Sequence, residues 1–158
     1  MKKMRFFAIL ASTMVIIGDC CSHGVLIRKP RESEIISIVD KFNKHISWTE
    51  LTYDLVRENL KNIYLACDDQ NNPVTYLRMT LIGENTVYIN ALVTLPNFRR
   101  KGYAKSLIDN IKTRYPYRTI QLTPSTEAIG FYKKMNFGYL AYANFCIYAP
   151  PELAIQYF

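Results

Sequence analysis

A predicted strand that runs into a cationic helix start is the feature that most constrains the fold of this chain. The apolar run 87–95 favours a strand and Pro96 ends it, while residues 101–115 have the spacing of an amphipathic helix. Arg99, Arg100 and Lys101 crowd the start of that helix, where the dipole disfavours cations unless an anion is present. Gly102 leaves the unpartnered amides of this turn open to a ligand. The sequence therefore predicts an anion-binding helix start, and phosphate is the usual anion there.

Length and charge allow one domain with an anionic partner. The chain has 158 residues, of which 49% are hydrophobic, enough for one domain with a core. Its formal net charge of +7 becomes +5 beyond residue 20, where there are 17 basic and 12 acidic residues. This charge suits a polyphosphate, an anionic lipid or a nucleic acid. The sequence lacks a basic run interleaved with aromatic residues, so we expect no nucleic-acid binding.

Residues 1–22 differ from the rest of the chain. Three basic residues precede the apolar run 6–17, and a Gly-Asp-Cys-Cys-Ser segment follows it. This pattern is typical of a secretory signal, and the run is shorter than the roughly 20 residues that span a bilayer. Three interpretations stay open: an exported or membrane-associated leader, an apolar element packed on the domain, or a true start downstream at Met4 or Met14.

The cysteines and histidines do not form a metal-binding pattern. Cys67 and Cys146, the two cysteines beyond the leader, both fall in apolar runs typical of strands. We expect both to be small buried hydrophobic residues, because two cysteines make no disulfide framework. His23 and His45 have no Cys, His or carboxylate at ligand spacing around them, so no metal is expected.

The order of elements predicts a mixed α/β domain over residues 23–150, with residues 151–158 as a tail. Strands are predicted at 25–28, 63–67, 74–82, 87–95, 119–122 and 138–148. Helices are predicted at 32–42, at 49–60 with Ser47 or Thr49 as cap, at 101–115, and from Ser125 or Thr126 to about Met135. Gly83-Glu84-Asn85 is a hairpin signal. The order β-α-α-β-β-β-α-β-α-β predicts a central mixed sheet flanked on both faces by about four helices.

Two motifs resemble the signatures of the Gcn5-related N-acetyltransferase (GNAT) family. The segment 92–104, LVTLPNFRRKGYA, is similar to the family's acetyl-CoA motif: a strand, a Pro, an aromatic residue and Arg/Gln-x-x-Gly-x-Gly/Ala. The segment 125–137, STEAIGFYKKMNF, is similar to its second motif, Asn-x-x-Ala-x-x-x-Tyr-x-x-x-Gly-Phe. The resemblance covers about residues 25–148. It implies the acyl-CoA N-acyltransferase fold, and an acetyl group moved from acetyl-CoA to a primary amine without an acyl-enzyme.

The resemblance also implies where the cofactor binds. The amides of residues 100–104 would cradle the pyrophosphate of coenzyme A, with three neighbouring cations adding charge. A fourth strand that splays from the fifth would pair with the pantetheine amides through residues 93–95, and a freed N–H would hold the thioester carbonyl. The cofactor-binding residues expected on this basis are Val93, Thr94, Leu95, Arg99, Arg100, Lys101, Gly102, Tyr103, Ala104 and Ser125.

Two positions depart from the family motifs. Ser125 stands where the family has Asn, and its hydroxyl replaces that contact only in part; a plain helix N-cap is an equally expected role. Asn136 stands where the family has Gly. Asn is the best substitute for Gly in a left-handed C-cap, so we expect this change to be silent.

Tyr132 is expected to protonate the leaving thiolate. A tyrosine with the ordinary pKa of about 10 is protonated at neutral pH and can act as an acid. Its helical spacing with Ala128, Phe131 and Met135 is by itself typical of a packing residue, and the pair of motifs favours the catalytic role.

The base and the acceptor stay open at this point. Glu50 and Asp54 either face the acceptor site or belong to a solvated helix face, and a water relay is a third route. An amino acid, a polyamine, an antibiotic or a protein terminus would all fit as acceptor.

Two alternatives to an N-acetyltransferase are a non-catalytic CoA-binding or membrane-associated interaction module with the same fold, and a basic membrane-surface protein. The cell compartment is left open too, because the leader favours export or membrane association and the use of acetyl-CoA favours the cytoplasm.

Overall fold

A seven-stranded mixed sheet forms the centre of the part of the chain that the structure describes. The structure is a computed structural model that describes residues 25–46 and 51–151. The strands follow the spatial order β1-β2-β3-β4-β5-β7-β6. Neighbouring strands are antiparallel except β4 and β5, which are parallel. The strands are β1 (Leu26–Arg28), β2 (Ile63–Cys67), β3 (Pro73–Ile82), β4 (Thr86–Thr94), β5 (Thr119–Leu122), β6 (Gly138–Leu140) and β7 (Phe145–Tyr148).

Helices cover both faces of this sheet. They are α1 (Ile35–Phe42), α2 (Tyr53–Glu58), α3 (Tyr103–Arg114) and α4 (Ile129–Lys134). Successive side chains of a strand point to opposite faces, and β2 is buried on both. Ile63, Leu65 and Cys67 pack in a core with α1 and α2, whereas Tyr64 and Ala66 pack in a second core with α3 and α4. The predicted mixed α/β fold, with helices on both faces, is confirmed.

Most element boundaries agree with the sequence analysis, and two differ. The single strand predicted over residues 138–148 is wrong: it is a hairpin of β6 and β7, separated by a 3₁₀ turn at Ala141–Ala143 and a left-handed Asn144 with φ 46°. The second helix begins later than predicted, at Tyr53. Its N-cap is Thr52, whose side-chain oxygen accepts a hydrogen bond from the Leu55 amide at 3.2 Å.

Several sequence-based predictions fall outside the described residues. They concern the leader 1–22, the carboxylate of Glu50 and most of the tail, and they stay predictions. Ser47 and Thr49 also lie outside the described residues, but the N-cap of α2 is Thr52, so the predicted cap at either of them is wrong. Among the helices of the described ranges, none is long and apolar enough to cross a bilayer.

Strands β4 and β5 diverge, and this divergence positions the site. They pair only over residues 86–88 of β4. Immediately beyond, Asn90 is an extra residue in β4, because Ile89 pairs with Met79 of β3 and Ala91 pairs with Arg78. Such a bulge bends its strand and increases the local twist. The rest of β4 therefore stays paired with β3 on one edge while its other edge separates from β5, as the family resemblance implied.

An ion pair fixes the start of α1 against β1. Arg28 donates two hydrogen bonds to the Glu34 carboxylate, at 2.6 and 2.8 Å, and its Nε donates to Asn71 Oδ1 at 2.8 Å. The backbone N–H of Arg31 also donates to Glu34, at 2.8 Å. The hydrogen bonds from Arg28 are the main cause of a lowered pKa at Glu34. This contact matters for the site because the chain that follows α1 reaches the cavity described below.

We expect Glu34→Gln to lower the free energy of unfolding by about 1.5 kcal/mol at pH 7, the lower end for hydrogen bonds to charged groups. The folded-state pKa of Glu34 lies below its unfolded value, so its stabilisation is complete above the unfolded pKa of about 4.3 and is lost as pH falls through the folded pKa. Urea unfolding should therefore show that the difference in unfolding free energy between the wild type and Glu34→Gln is smaller below pH 4 than at pH 7.

Glu32→Gln is the matched control. The Glu32 carboxylate lies 3.9 Å from Arg57, and the two side chains are 72% and 60% exposed. Loss of the Glu32 charge should change the free energy of unfolding by less than about 0.5 kcal/mol. An equal effect of the two substitutions would contradict the role assigned to Glu34.

Candidate functional site

A cavity of about 420 Å³ opens where β4 and β5 diverge. Its walls come from the divergent half of β4, the end of β5, the segment leading into α4, and the turn that follows α1. The lining residues are His45, Ile46, Tyr88, Ile89, Asn90, Ala91, Leu92, Val93, Thr94, Arg99, Leu122, Thr123, Pro124, Ser125, Ala128 and Tyr132. The two segments with family-like motifs therefore meet at one site, together with a segment that carries neither motif.

The start of α3 presents free backbone amides. Arg100 has φ 61° and Gly102, the N-cap residue, has φ 88°, so the chain turns twice through the left-handed region. The first helical hydrogen bond runs from the Ser106 amide to the Gly102 carbonyl, at 2.9 Å. Within the described ranges, no protein group accepts a hydrogen bond from the amides of residues 100–104. The structure therefore leaves this row of donors open to a ligand.

Gly102 is required by its backbone angle and not by crowding from the protein. A Cβ built on it would meet nothing within 4 Å, so the space in front of this turn is open. A non-glycine residue with φ near +60°, such as Arg100, is strained by about 1–3 kcal/mol. Strained backbone is typical of sites that hold ligands, which agrees with an anion bound at this turn.

No carboxylate of residues 25–46 and 51–151 neutralises the cations at this turn. Arg99, Arg100 and Lys101 are exposed, and none of them is within ion-pair distance of a carboxylate in the described ranges. Arg99 lines the cavity and its Nε donates to the Thr94 carbonyl at 3.2 Å, which joins the end of β4 to the helix start. The ring of Tyr103 meets Phe98 edge-on, with centroids 6.0 Å apart.

The predicted pantetheine partners on β4 are not equivalent. The Leu95 amide donates to the Val74 carbonyl at 3.0 Å, so the backbone groups of Leu95 face β3. Backbone direction alternates along an antiparallel strand, and Val93 therefore also faces β3, whereas Leu92 and Thr94 face the opening. The structure leaves Thr94 as the one residue of the predicted three whose backbone lies on the free edge of β4.

Tyr132 lies in α4 and reaches the cavity from the α3/α4 face of the sheet. It is only 6% exposed, and its ring packs edge-on against Phe131 and Phe137, with centroids 5.0 and 5.4 Å apart. Burial, with a smaller contribution from Cys146, raises the pKa of its hydroxyl. The side chain is therefore both a core residue and a protonated hydroxyl at the cavity wall.

The structure also tests the predictions for Ser125, Asn136 and the two cysteines. Ser125 occupies the N-cap position, as predicted, and lines the cavity, although its side chain makes no capping hydrogen bond. Its backbone carbonyl instead accepts from the Ala128 amide at 2.9 Å. Asn136 has φ 62°, which confirms the left-handed conformation expected after α4. Cys67 and Cys146 are free and buried, as predicted.

His45 is a cavity residue that the sequence analysis did not assign to the site. It ends the 3₁₀ turn Asn43–His45 after α1, and no motif surrounds it in the sequence. Asp54, one of the two carboxylates considered there, is exposed on α2 and does not line the cavity. The structure describes no other titratable side chain at this wall of the cavity.

Comparison with known proteins assigns the chain to a family. The model of the acetyltransferase (GNAT) family matches residues 32–137, so the chain belongs to that family. A curated relative, the peptidyl-lysine N-acetyltransferase YjaB of Salmonella typhimurium, is 35% identical over 89 residues. That match covers 56% of this chain and 57% of the relative, so the chain spans little more than half of the relative's length.

Solved structures agree on the fold. The Bacillus subtilis N-acetyltransferase YlbP, solved in complex with coenzyme A, has a TM-score of 0.60 and 16% identity, and the match covers 80% of this chain and 97% of that one. A GNAT acetyltransferase from Brucella melitensis, solved in complex with acetyl-CoA, has a TM-score of 0.61 and 19% identity, covering 80% and 88% of the two chains. These structures confirm the expected fold, and the family model confirms the family resemblance seen in the sequence.

Proposed function

We propose that this chain is an acetyl-CoA-dependent N-acetyltransferase that acetylates a primary amine by direct attack on the thioester. The observation that carries the proposal is a row of backbone amides at residues 100–104, which have no acceptor in the described part of the chain and lie next to a cavity between diverging strands. The bound coenzyme A of YlbP and acetyl-CoA of the Brucella protein support the choice of cofactor. The name of the YjaB relative supports a lysine side chain as the class of acceptor.

The helix start would bind the pyrophosphate. Each helix-dipole contact with an exposed anion contributes only about 0.3–1 kcal/mol, so tight binding needs several amides at once. The left-handed turns at Arg100 and Gly102 expose these amides together, and the exposed side chains of Arg99, Arg100 and Lys101 add charge. Tyr103 and Ala104 contribute backbone amides to the same row.

The free edge of β4 would bind the pantetheine arm as an added strand. Leu92 and Thr94 face this edge, and strand addition supplies affinity through main-chain hydrogen bonds. An N–H on this edge would also stabilise the oxyanion formed when the amine attacks the thioester carbonyl. Tyr132 would then protonate the departing thiolate, since burial keeps its hydroxyl in the neutral form.

We expect Gly102→Glu to weaken the binding of acetyl-CoA to the full chain by about 100-fold or more, equivalent to about 2.8 kcal/mol. The new carboxylate would occupy the open space in front of the amides and repel the diphosphate. Isothermal titration calorimetry measures the change in Kd.

Gly83→Glu is the matched control, because Gly83 also has positive φ, at 56°, and also has open space where a Cβ would be placed. The two substitutions introduce the same charge and similar backbone strain. Only Gly102→Glu should lose affinity, and equal affinities in the two variants would refute the assigned cofactor site.

Replacing Tyr132 with Phe should lower kcat about 100-fold and leave the Kd for acetyl-CoA nearly unchanged. Phe preserves the ring that packs against Phe131 and Phe137 and removes only the hydroxyl. The assay follows free thiol released from acetyl-CoA in the presence of a lysine peptide.

Tyr139→Phe is the control for loss of a phenolic hydroxyl. The Tyr139 hydroxyl donates to Asn144 Oδ1 at 3.2 Å and does not line the cavity. Wild-type turnover in the Tyr132 variant would remove that residue as the acid. Tight binding of acetyl-CoA by the wild-type chain, with no transfer to any amine, would instead favour the non-catalytic module.

A further inference from the structure

The proposed reaction needs a base, and few groups at the cavity can serve. An amine attacks a thioester only in its neutral form, so the ammonium proton must first be removed. Among the described lining residues, the titratable side chains are His45, Tyr88, Arg99 and Tyr132, and the carboxylates of the described ranges lie elsewhere.

Three of these four groups are unsuited to the task. Arg99 cannot lose a proton in a protein, and its Nε already donates to the Thr94 carbonyl. The hydroxyl of Tyr132 is held protonated by burial and is assigned to the thiolate. The hydroxyl of Tyr88 already forms a hydrogen bond with Thr123 Oγ1, at 3.0 Å. We infer that His45 is the general base that accepts the proton of the acceptor amine, an inference that rests on the proposed function.

The fold holds His45 in place from both sides. Phe42, three residues earlier, is fully buried at the end of α1, and Ile46 packs on the same core. The side chain of Asn43 accepts a hydrogen bond from the Leu51 amide at 2.8 Å, and Leu51 is only 2% exposed. This bond joins the two ends of the segment that follows α1. The turn that carries the His45 imidazole is therefore anchored to the core by packing and by this hydrogen bond.

His45 and Tyr132 reach the cavity from opposite faces of the sheet. His45 follows α1, which packs on one face with α2, whereas Tyr132 belongs to α4 and packs on the other face with α3. The thioester would lie between them, along the free edge of β4. An amine arriving from the α1 side would meet the base, and the thiolate would depart toward the acid. Addition of the amine gives a tetrahedral intermediate that carries both nitrogen and sulfur, so a base on one side and an acid on the other can each reach a different group.

The protons balance in this arrangement. The imidazole of His45 takes one proton from the ammonium and later releases it to solvent. The neutral nitrogen then forms the C–N bond, and the C–S bond breaks as the tetrahedral intermediate collapses. The leaving sulfur takes the proton of Tyr132, the nitrogen loses its second proton to solvent, and the Tyr132 oxygen takes a proton back from solvent. The products are the amide, free coenzyme A and one proton in solution.

The test uses the full chain, acetyl-CoA and two peptides. One peptide has a blocked N-terminus and a single lysine; the other has a free α-amine and no lysine. We expect His45→Gln to lower kcat with the lysine peptide about 100-fold or more, while the Kd for acetyl-CoA stays unchanged. The loss should be smaller with the α-amine peptide, because α-amines have a pKa near 8 and lysine side chains near 10.4. Added imidazole should restore part of the activity of His45→Ala.

Lys44→Gln is the control, since Lys44 is the exposed neighbour of His45 and does not line the cavity. Turnover by His45→Gln within threefold of wild type would overturn the inference and leave the proposed function intact. So would a loss that imidazole does not restore and that accompanies weaker acetyl-CoA binding, because that result assigns His45 a structural role. A wild-type chain that binds acetyl-CoA and acetylates neither peptide refutes the proposed function, and the inference with it.

Discussion

The separation of β4 from β5 is the constraint on which the rest of the structure depends. A strand in the middle of a sheet normally satisfies its backbone on both edges, yet beyond residue 88 β4 does so only with β3. The bulge at Asn90 produces this bend, and the opening it creates is the cavity. Unpaired backbone groups in such a place are costly unless a ligand or water bonds to them. An extended ligand with amide groups is the partner that this edge fits best.

The start of α3, at residues 99–104, departs in several ways from the usual sequence and geometry of a helix N-terminus. Three cations lie at the positive end of a helix dipole, one arginine has a left-handed backbone, and five successive amides lack an acceptor among the residues that the structure describes. Each departure alone is unfavourable. Because one bound diphosphate would relieve all of them, the proposed anion site accounts for them together. Local rules tend to fail together where a protein binds its ligand.

The sequence predicts those features that depend on local chemistry. The strands 63–67 and 119–122, the left-handed Asn136 and the glycine at the start of α3 all follow from the residues at those positions. The β6–β7 hairpin was missed because no Gly or Pro marks its turn, and Asn144 supplies the left-handed residue instead. The directions of Val93 and Thr94 depend on register with β3, which a strand's own sequence does not encode.

His45 is a site residue that its local sequence does not reveal. No motif surrounds it, and long-range packing brings it to the cavity: Phe42 in one core, and the Asn43–Leu51 hydrogen bond across the following segment. Motif-based reasoning finds residues that contact the common cofactor, because the same cofactor imposes the same local chemistry on every chain that binds it. Groups that meet the acceptor lie on whichever segment the fold brings near.

The proposed site tolerates Ser125 in place of the family's Asn because it depends mainly on backbone groups. Most of the proposed cofactor contacts are backbone groups of the α3 start and of β4, and a side-chain replacement leaves those in place. Ser125 still lines the cavity, and its backbone carbonyl still anchors the turn that leads into α4. Loss of one amide side chain therefore removes a single contact, whereas a change in the φ of Gly102 or in the Asn90 bulge would displace many at once. In the proposed mechanism, the chemistry would depend on a few side chains, and the affinity for the cofactor would depend on the conformation of the main chain.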